Sequence, residues 1–297
     1  MRRKMVFLKQ IKTYLELSKP RVVLLMIFTS FIGMLLAEPI HLNYEIIFLG
    51  NLGIAFMAFS AGSLNQLLDH KIDSVMDRTK GRPLPLGLLS PNQVIIYSFV
   101  IGLLGFLILF IFVNNLTAWL TFLSLVGYAF IYTLYLKRRT SQNIVIGGAA
   151  GATPPLLGWT SITGSIDTIA IILFMIIFVW TPPHFWSLAL HRKKEYSLAK
   201  IPMLPNTHGE QYTRMHITFY TFILTIVSFL PFLINFCSIF YLVGSLILNI
   251  IFLYLVLRMQ LEKNNNLANK IFNYSIIYLS ALFGFLISDR YLLIMIS

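Results

Sequence analysis

What most constrains this chain is an alternation of long apolar stretches with connections that are by turns strongly basic and free of basic residues. A bilayer core about 30 Å thick needs roughly 20 predominantly apolar residues for each helical crossing. Stretches that approach or reach that length run near residues 22–37, 46–64, 94–113, 118–136, 144–159, 169–190, 217–236, 239–257 and 271–288. Two of them contain helix-breaking residues. The fifth carries Gly147, Gly148, Gly151 and the pair Pro154–Pro155, and the sixth carries Thr181-Pro182-Pro183. Breaks at membrane depth survive only where protein or a cavity satisfies the freed backbone groups, so both spans are expected to be interrupted there.

Cytoplasmic loops of membrane proteins carry the excess of Lys and Arg. Of the 23 basic residues, all but Arg290 precede the first stretch or follow the second, fourth, sixth and eighth. A wrong span count would scramble that pattern. The expectation is nine transmembrane helices, with the N-terminus cytoplasmic and the C-terminus outside. Hydrophobic residues make up 57% of the chain and charged residues 11%, against about 25% charged in soluble domains. A water-soluble globule is excluded, and the aromatic and β-branched content excludes disorder. The net charge of +12 is read as topology, with no nucleic-acid partner. Cys237 is the single cysteine; it makes no internal disulfide and reads as a small packing residue.

Residues 1–21 form a separate cytoplasmic segment, and residues 22–297 the membrane domain. Phe7, Ile11 and Leu15 fall at i, i+4 and i+8, which predicts an amphipathic surface helix. No separate hydrophobic core with a cleavage site precedes the first span. A mitochondrial presequence would extend further, so a bacterial cell membrane is expected.

The acidic residues are grouped. Asn65, Asp69, Asp73 and Asp77 are spaced by four just past the second stretch. Each step of four turns an α-helix by about 40°, so the first three share a face and Asp77 drifts from it. Like charges at i, i+4 destabilise a helix, and Lys71 points elsewhere. Either water screens the carboxylates at a frayed helix end or a metal cation does. Hard oxygen ligands of this kind suit Mg²⁺ together with substrate phosphates. The downstream cluster Arg78-Thr79-Lys80-Gly81-Arg82 suits phosphate oxygens. The connection 183–216 carries most of the other titratable groups, including His184, His191, Glu195, His208 and Glu210. Loops of both kinds open on one membrane face, above apolar helices. That arrangement suits a substrate with a charged head and a greasy tail.

The run from Asn65 to Leu84, with Asp69, Asp73, Arg78 and Arg82, resembles the first signature of the intramembrane aromatic prenyltransferases related to 4-hydroxybenzoate polyprenyltransferase. Five further stretches narrow the resemblance to the protohaem IX farnesyltransferase (haem O synthase) branch. They are Ser18-Lys19-Pro20-Arg21-Val22, Leu136 to Thr140, Gly147 to Pro155, Thr181 to Ala189 and Ile201 to Pro205. Together they span roughly residues 14–215. The resemblance implies an all-α bundle of nine helices around a central cavity open to the cytoplasmic side. It implies transfer of farnesyl from farnesyl diphosphate to a vinyl group of haem B, with addition of water, giving haem O and diphosphate. Implied partners are both substrates, membrane lipid and a downstream haem O-oxidising enzyme.

On that reading Asn65, Asp69 and Asp73 hold Mg²⁺ and act in catalysis with Arg78 and Arg82, and Glu195 is a further metal candidate. Lys137, Arg138, Arg192, Lys193 and Lys194 bind diphosphate. His184, Phe185 and Trp186 face the haem. Two readings of His184 stay open: iron ligand, or hydrogen-bonding partner of carbonyls freed by the prolines. Two departures stand out. Lys200 occupies a place where relatives usually have glycine, and Glu195 stands alone where aromatic prenyltransferases place paired aspartates. Two other functions share part of this pattern. A related prenyltransferase acting on another aromatic or chlorin acceptor shares most of these features. An ion-coupled transporter would put its acids at the midplane, whereas here they lie at one interface. Trp119 and Trp159 fit an interfacial aromatic belt.

Overall fold

The computed structural model describes residues 2–38, 40–77, 79–199 and 201–296, with residues 2–9 and 296 as backbone only. Among these every regular element is a helix. In chain order they are α1 (Arg2–Leu17), α2 (Pro20–Ala37), α3 (Tyr44–Asp73), α4 (Pro91–Phe112), α5 (Asn115–Val126), a π-helix (Gly127–Leu136) and α6 (Lys137–Arg139). There follow α7 (Asn143–Ala152), α8 (Pro154–Thr163), α9 (Thr168–His191), α10 (Lys193–Leu198), α11 (Leu204–Thr207), α12 (Glu210–Leu233), α13 (Ile239–Glu262) and α14 (Asn266–Ile296).

Among the described residues eight helical runs are long and apolar enough to cross a membrane, α5, the π-helix and α6 counting as one run. The protein is a multi-pass membrane protein. Helix starts follow local chemistry: Asn43 caps α3 through the Ile46 amide at 3.2 Å, and Ser90 and Gln93 form a reciprocal capping box on α4 with Pro91 at the first turn. The expected break in the fifth stretch is present, dividing it into α7 and α8 at Thr153–Pro154.

The expected break in the sixth stretch is not. Helix α9 runs unbroken through Pro182 and Pro183. Proline removes an amide donor, but its fixed φ is helical. Here the prolines fall in the most enclosed span, 67% buried against 22% for α4, where neighbouring helices hold the backbone on course. Helix α9 packs on α7, α12 and α14, and α14 returns to α2, closing the helices into a ring. Helices α2 and α8 approach so closely that a Cβ on Gly158 would lie 1.9 Å from the Ser30 carbonyl oxygen, and one on Gly33 2.1 Å from that of Pro155.

Of the two tryptophans assigned to the aromatic belt, Trp119 is 52% exposed on the outer surface of the bundle. Trp159 is buried and donates its indole N–H to Asp167 at 2.6 Å. A tryptophan at a span end can turn inward when a carboxylate is there to accept its hydrogen bond.

Candidate active site

Helix α3 continues past the apolar stretch to Asp73, so Asn65, Asp69 and Asp73 do share one face. All three are buried. Asp77 lies beyond the helix, with its side chain 82% exposed and paired to Lys80 at 2.7 Å. That ammonium holds the Asp77 carboxyl below its ordinary range.

No basic residue of α3 relieves the buried carboxylates. Cations from other connections do. Lys137 Nζ lies 2.5 Å from Asp69 Oδ2 and Arg82 Nη1 lies 2.5 Å from Asp73 Oδ2. Arg138 donates to the Leu68 carbonyl at 2.9 Å and stands 4.0 Å from Asp69 Oδ1. Asn65 links the group, donating to Asp69 Oδ2 at 3.1 Å and to Thr133 Oγ1 at 3.0 Å. Its side-chain carbonyl accepts from Lys19. Arg78 lies outside the described residues, as does Lys200.

Lys19 had no assigned role in the sequence. It sits in the left-handed region at φ 54° just before Pro20, a conformation that costs a non-glycine residue about 1–3 kcal/mol. The turn is held from below by Gln66, whose Nε2 donates to the carbonyls of Leu17 at 2.7 Å and Glu16 at 3.1 Å. The signal for it in the sequence is the Ser18–Val22 stretch, which enters only through the family resemblance.

The π-helix supplies the opposite wall. Thr133 Oγ1 bonds the Tyr128 carbonyl five residues back at 2.8 Å, and the Lys137 amide bonds the Tyr132 carbonyl. The wide spiral brings Tyr128, Thr133 and Lys137 to the α3 face, with Lys19 Nζ 3.4 Å from the Tyr128 hydroxyl. Gly147 has no room for a side chain: a Cβ there would lie 2.1 Å from the Tyr132 ring.

The second long connection is organised separately. Lys193 pairs with Glu210 at 2.8 Å, and Glu210 also accepts from Asn265 at 2.5 Å, whose carbonyl accepts from Arg214 at 2.8 Å. This clasp ties the start of α10 to the start of α12 and to the α13–α14 turn. Arg192 pairs with Glu195 at 3.4 Å, and Lys194 is exposed. Among the described residues no three His, Cys, Asp or Glu side chains gather into a metal-holding group.

The three residues expected to face haem diverge. His184 bonds Ser275 on α14 at 2.7 Å rather than a carbonyl freed by the prolines. Phe185 meets the His184 ring edge-on and is 39% exposed. Trp186 is fully buried on another face of α9, edge-on to His216 and Tyr220 of α12.

A family model described as the UbiA prenyltransferase family matches residues 26–280. The chain belongs to the UbiA prenyltransferase family. It is 55% identical over 282 residues to the protoheme IX farnesyltransferase of Saccharophagus degradans, covering 95% of this chain and 93% of that relative. The enzyme of the same name from Marinobacter nauticus is 52% identical, with 95% and 94% covered, and that from Legionella pneumophila 51% identical, with 94% and 95% covered. Among solved structures, that of a digeranylgeranylglyceryl phosphate synthase superposes with a TM-score of 0.82 at 20% identity, over 95% of this chain and 99% of that one. A UbiA homolog from Archaeoglobus fulgidus bound to DMAPP and Mg²⁺ gives 0.65 at 16% identity, over 92% and 99%. These distant likenesses bear on the fold, which is that of UbiA proteins.

The site residues of this UbiA-family chain fit a divalent cation. Asp69 Oδ1 is buried with no hydrogen-bond partner among the described residues. Two carboxylates and an amide oxygen suit Mg²⁺, which fills its remaining positions with water and phosphate oxygens.

Proposed function

We propose that this chain joins the C1 carbon of farnesyl diphosphate to a vinyl group of haem B, giving haem O and diphosphate. The observation that carries this reading is the convergence of Lys19, Arg82 and Lys137 on the buried Asn65–Asp69–Asp73 face, in a chain half identical to protoheme IX farnesyltransferases. Asn65, Asp69 and Asp73 would hold Mg²⁺, which would supply charge neutralisation for the leaving diphosphate. Arg82, Lys137 and Arg138 stabilise the same charge as the C1–O bond breaks, joined by Arg78. Arg192, Lys193 and Lys194 attract the diphosphate at the cytoplasmic mouth, and Glu195 stands by Arg192 as a second metal candidate. The vinyl carbon bonds C1, water adds at the neighbouring carbon and a proton leaves. Apolar helices around the site keep water away until the carbon–carbon bond has formed. His184 and Phe185 lie on the acceptor side, with Trp186 supporting α9 from behind.

Topology completes the proposal. Helices α7 and α8 together make one broken crossing, which brings the spans to nine around a cavity open to the cytoplasm of a bacterial cell. A reporter fused at Ser297 should map outside and one at Lys80 inside; a cytoplasmic C-terminus refutes the count. Function is tested by incubating purified protein with farnesyl diphosphate, haem B and Mg²⁺. Haem O is expected, and its formation should stop with chelation and resume with Mg²⁺. Transfer to a phenolic or chlorin acceptor but not to haem B overturns the reading.

A further inference from the structure

We propose that His184 is the protein ligand to the acceptor's iron and that Ser275 is a positioning residue that fixes the imidazole for that task. The proposal rests on the haem reading above. His184 Nδ1 lies 2.7 Å from Ser275 Oγ, and the same hydroxyl lies 2.6 Å from the Phe272 carbonyl oxygen. A hydroxyl has one proton, and a carbonyl only accepts. Ser275 therefore donates to Phe272 and accepts from His184. The ring proton sits on Nδ1, and Nε2 keeps a bare lone pair. Metal-bound histidines are held in this way, the second N–H tied to an acceptor that sets tautomer and ring angle.

The ring is also clamped. Trp180 stacks on it at a centroid distance of 4.3 Å and 20°, and Phe272 stacks at 4.6 Å and 28°. Trp180 is itself anchored by an indole N–H bond to the Ser275 carbonyl at 2.8 Å. One serine thus holds both rings. His184 lines a pocket of about 130 Å³ with Leu25, Trp180, Phe272, Ile276 and Leu279. Leu25 and Ile276 are 40% and 42% exposed on the bundle surface, so the pocket opens outward between α2, α9 and α14.

The recess is too small to enclose a porphyrin, but its aromatic walls and its histidine, open on the bundle surface, suit the iron-bearing face of a macrocycle lying across its mouth with its carboxylate edge turned to water. Helix α2 ties it to the carboxylate site. Leu25 follows Lys19 by six residues, about 9 Å along the axis. Iron held at His184 would therefore sit below the layer of Lys19 by a distance comparable to the width of the macrocycle.

The test titrates haem B into the full-length protein in lipid nanodiscs, reading absorption and electron paramagnetic resonance spectra, haem affinity and reduction potential. The wild type should give an imidazole-ligated spectrum. His184→Ala should lose that signature and bind haem about tenfold or more weakly, with added imidazole restoring the spectrum. Ser275→Ala should shift the spectrum and potential and weaken haem binding about tenfold. Ser275→Thr, which keeps the hydroxyl, should match the wild type. Farnesyl diphosphate affinity should be unchanged throughout. If His184→Ala fails to fold, the contrast between Ser275→Ala and Ser275→Thr carries the same test. A bond that merely joins α9 to α14 predicts lower thermal stability with an unaltered haem spectrum and affinity, and that result overturns the proposal. Failure of the wild type to bind haem, with farnesyl passing to another aromatic acceptor, sinks the functional reading itself.

Discussion

At the end of α3, Asp69 and Asp73 sit buried beneath Lys137 and Arg82, with Asn65 bridging to Lys19 and Thr133. Between α9 and α14, His184 is held by a single hydroxyl and two flat rings, with no charged partner. Both sets are buried, yet one is assembled from opposed charges and the other from neutral hydrogen bonds and stacking. Removing one member of a buried ion pair strands the other charge. Losing a neutral bond costs far less, about 1–3 kcal/mol if a polar group is left unpaired. The difference fits two kinds of ligand. Before an anion arrives, a site for diphosphate and metal has to hold its own charges in balance. A site for an apolar ring needs shape and one correctly protonated nitrogen.

The largest expected effect lies in the charged region. Asp69→Asn and Asp73→Asn should each lower turnover about a hundredfold or more, by analogy with the loss of one transition-state-stabilising group, while the protein still inserts. Wild-type rates in both would break the contrast, because the carboxylates would then be structural. Next in size, Arg82→Lys and Lys137→Ala should raise KM for farnesyl diphosphate about tenfold, with haem affinity unchanged. Lysine keeps charge but loses the planar fork that matches phosphate oxygens. Equal weakening of both substrates would show that the two regions are one site.

Smaller still is Lys193→Ala, expected to change KM about twofold because its ammonium is already engaged by Glu210 in a half-exposed pair of modest worth. An effect matching that of Lys137→Ala would make it a direct diphosphate ligand. Asp77→Asn should change turnover least, within about twofold. Its exposed carboxyl is lowered by Lys80, so it stays ionised at neutral pH and loses that partner only as pH falls through the lowered range. A loss equal to that of Asp69→Asn would place it with the carboxylates assigned to catalysis.

How much of this was legible in the sequence follows the range of the interactions. The face shared by Asn65, Asp69 and Asp73 came directly from helical spacing. Hydropathy located the eight long apolar runs, and the glycine and proline cluster located the break between α7 and α8. The partners of the carboxylates were only partly legible. Arg82 and Lys137 were drawn towards phosphate by charge and resemblance, but their pairing with Asp73 and Asp69 depends on how loops fold back over α3. Lys19 was missed because its reach requires a left-handed turn that sequence patterns argue against before proline. Ser275 lay in a final helix without a recognisable motif. Proline grammar misled at Pro182–Pro183, where burial of α9 outweighed two lost amide bonds. Trp186 was placed with His184 by adjacency, although residues two apart on a helix point in different directions.

The ten-residue π-helix between α5 and α6 bears on how this chain can change by insertion and deletion. Such stretches are usually single turns inside α-helices. Removing one residue from 127–136 while the rest keeps its winding would rotate everything after it by roughly 80–100°. Lys137 would swing off Asp69, and Tyr132 would leave the space kept open by Gly147. A one-residue deletion there would therefore remove a cation from the site without replacing any amino acid in it.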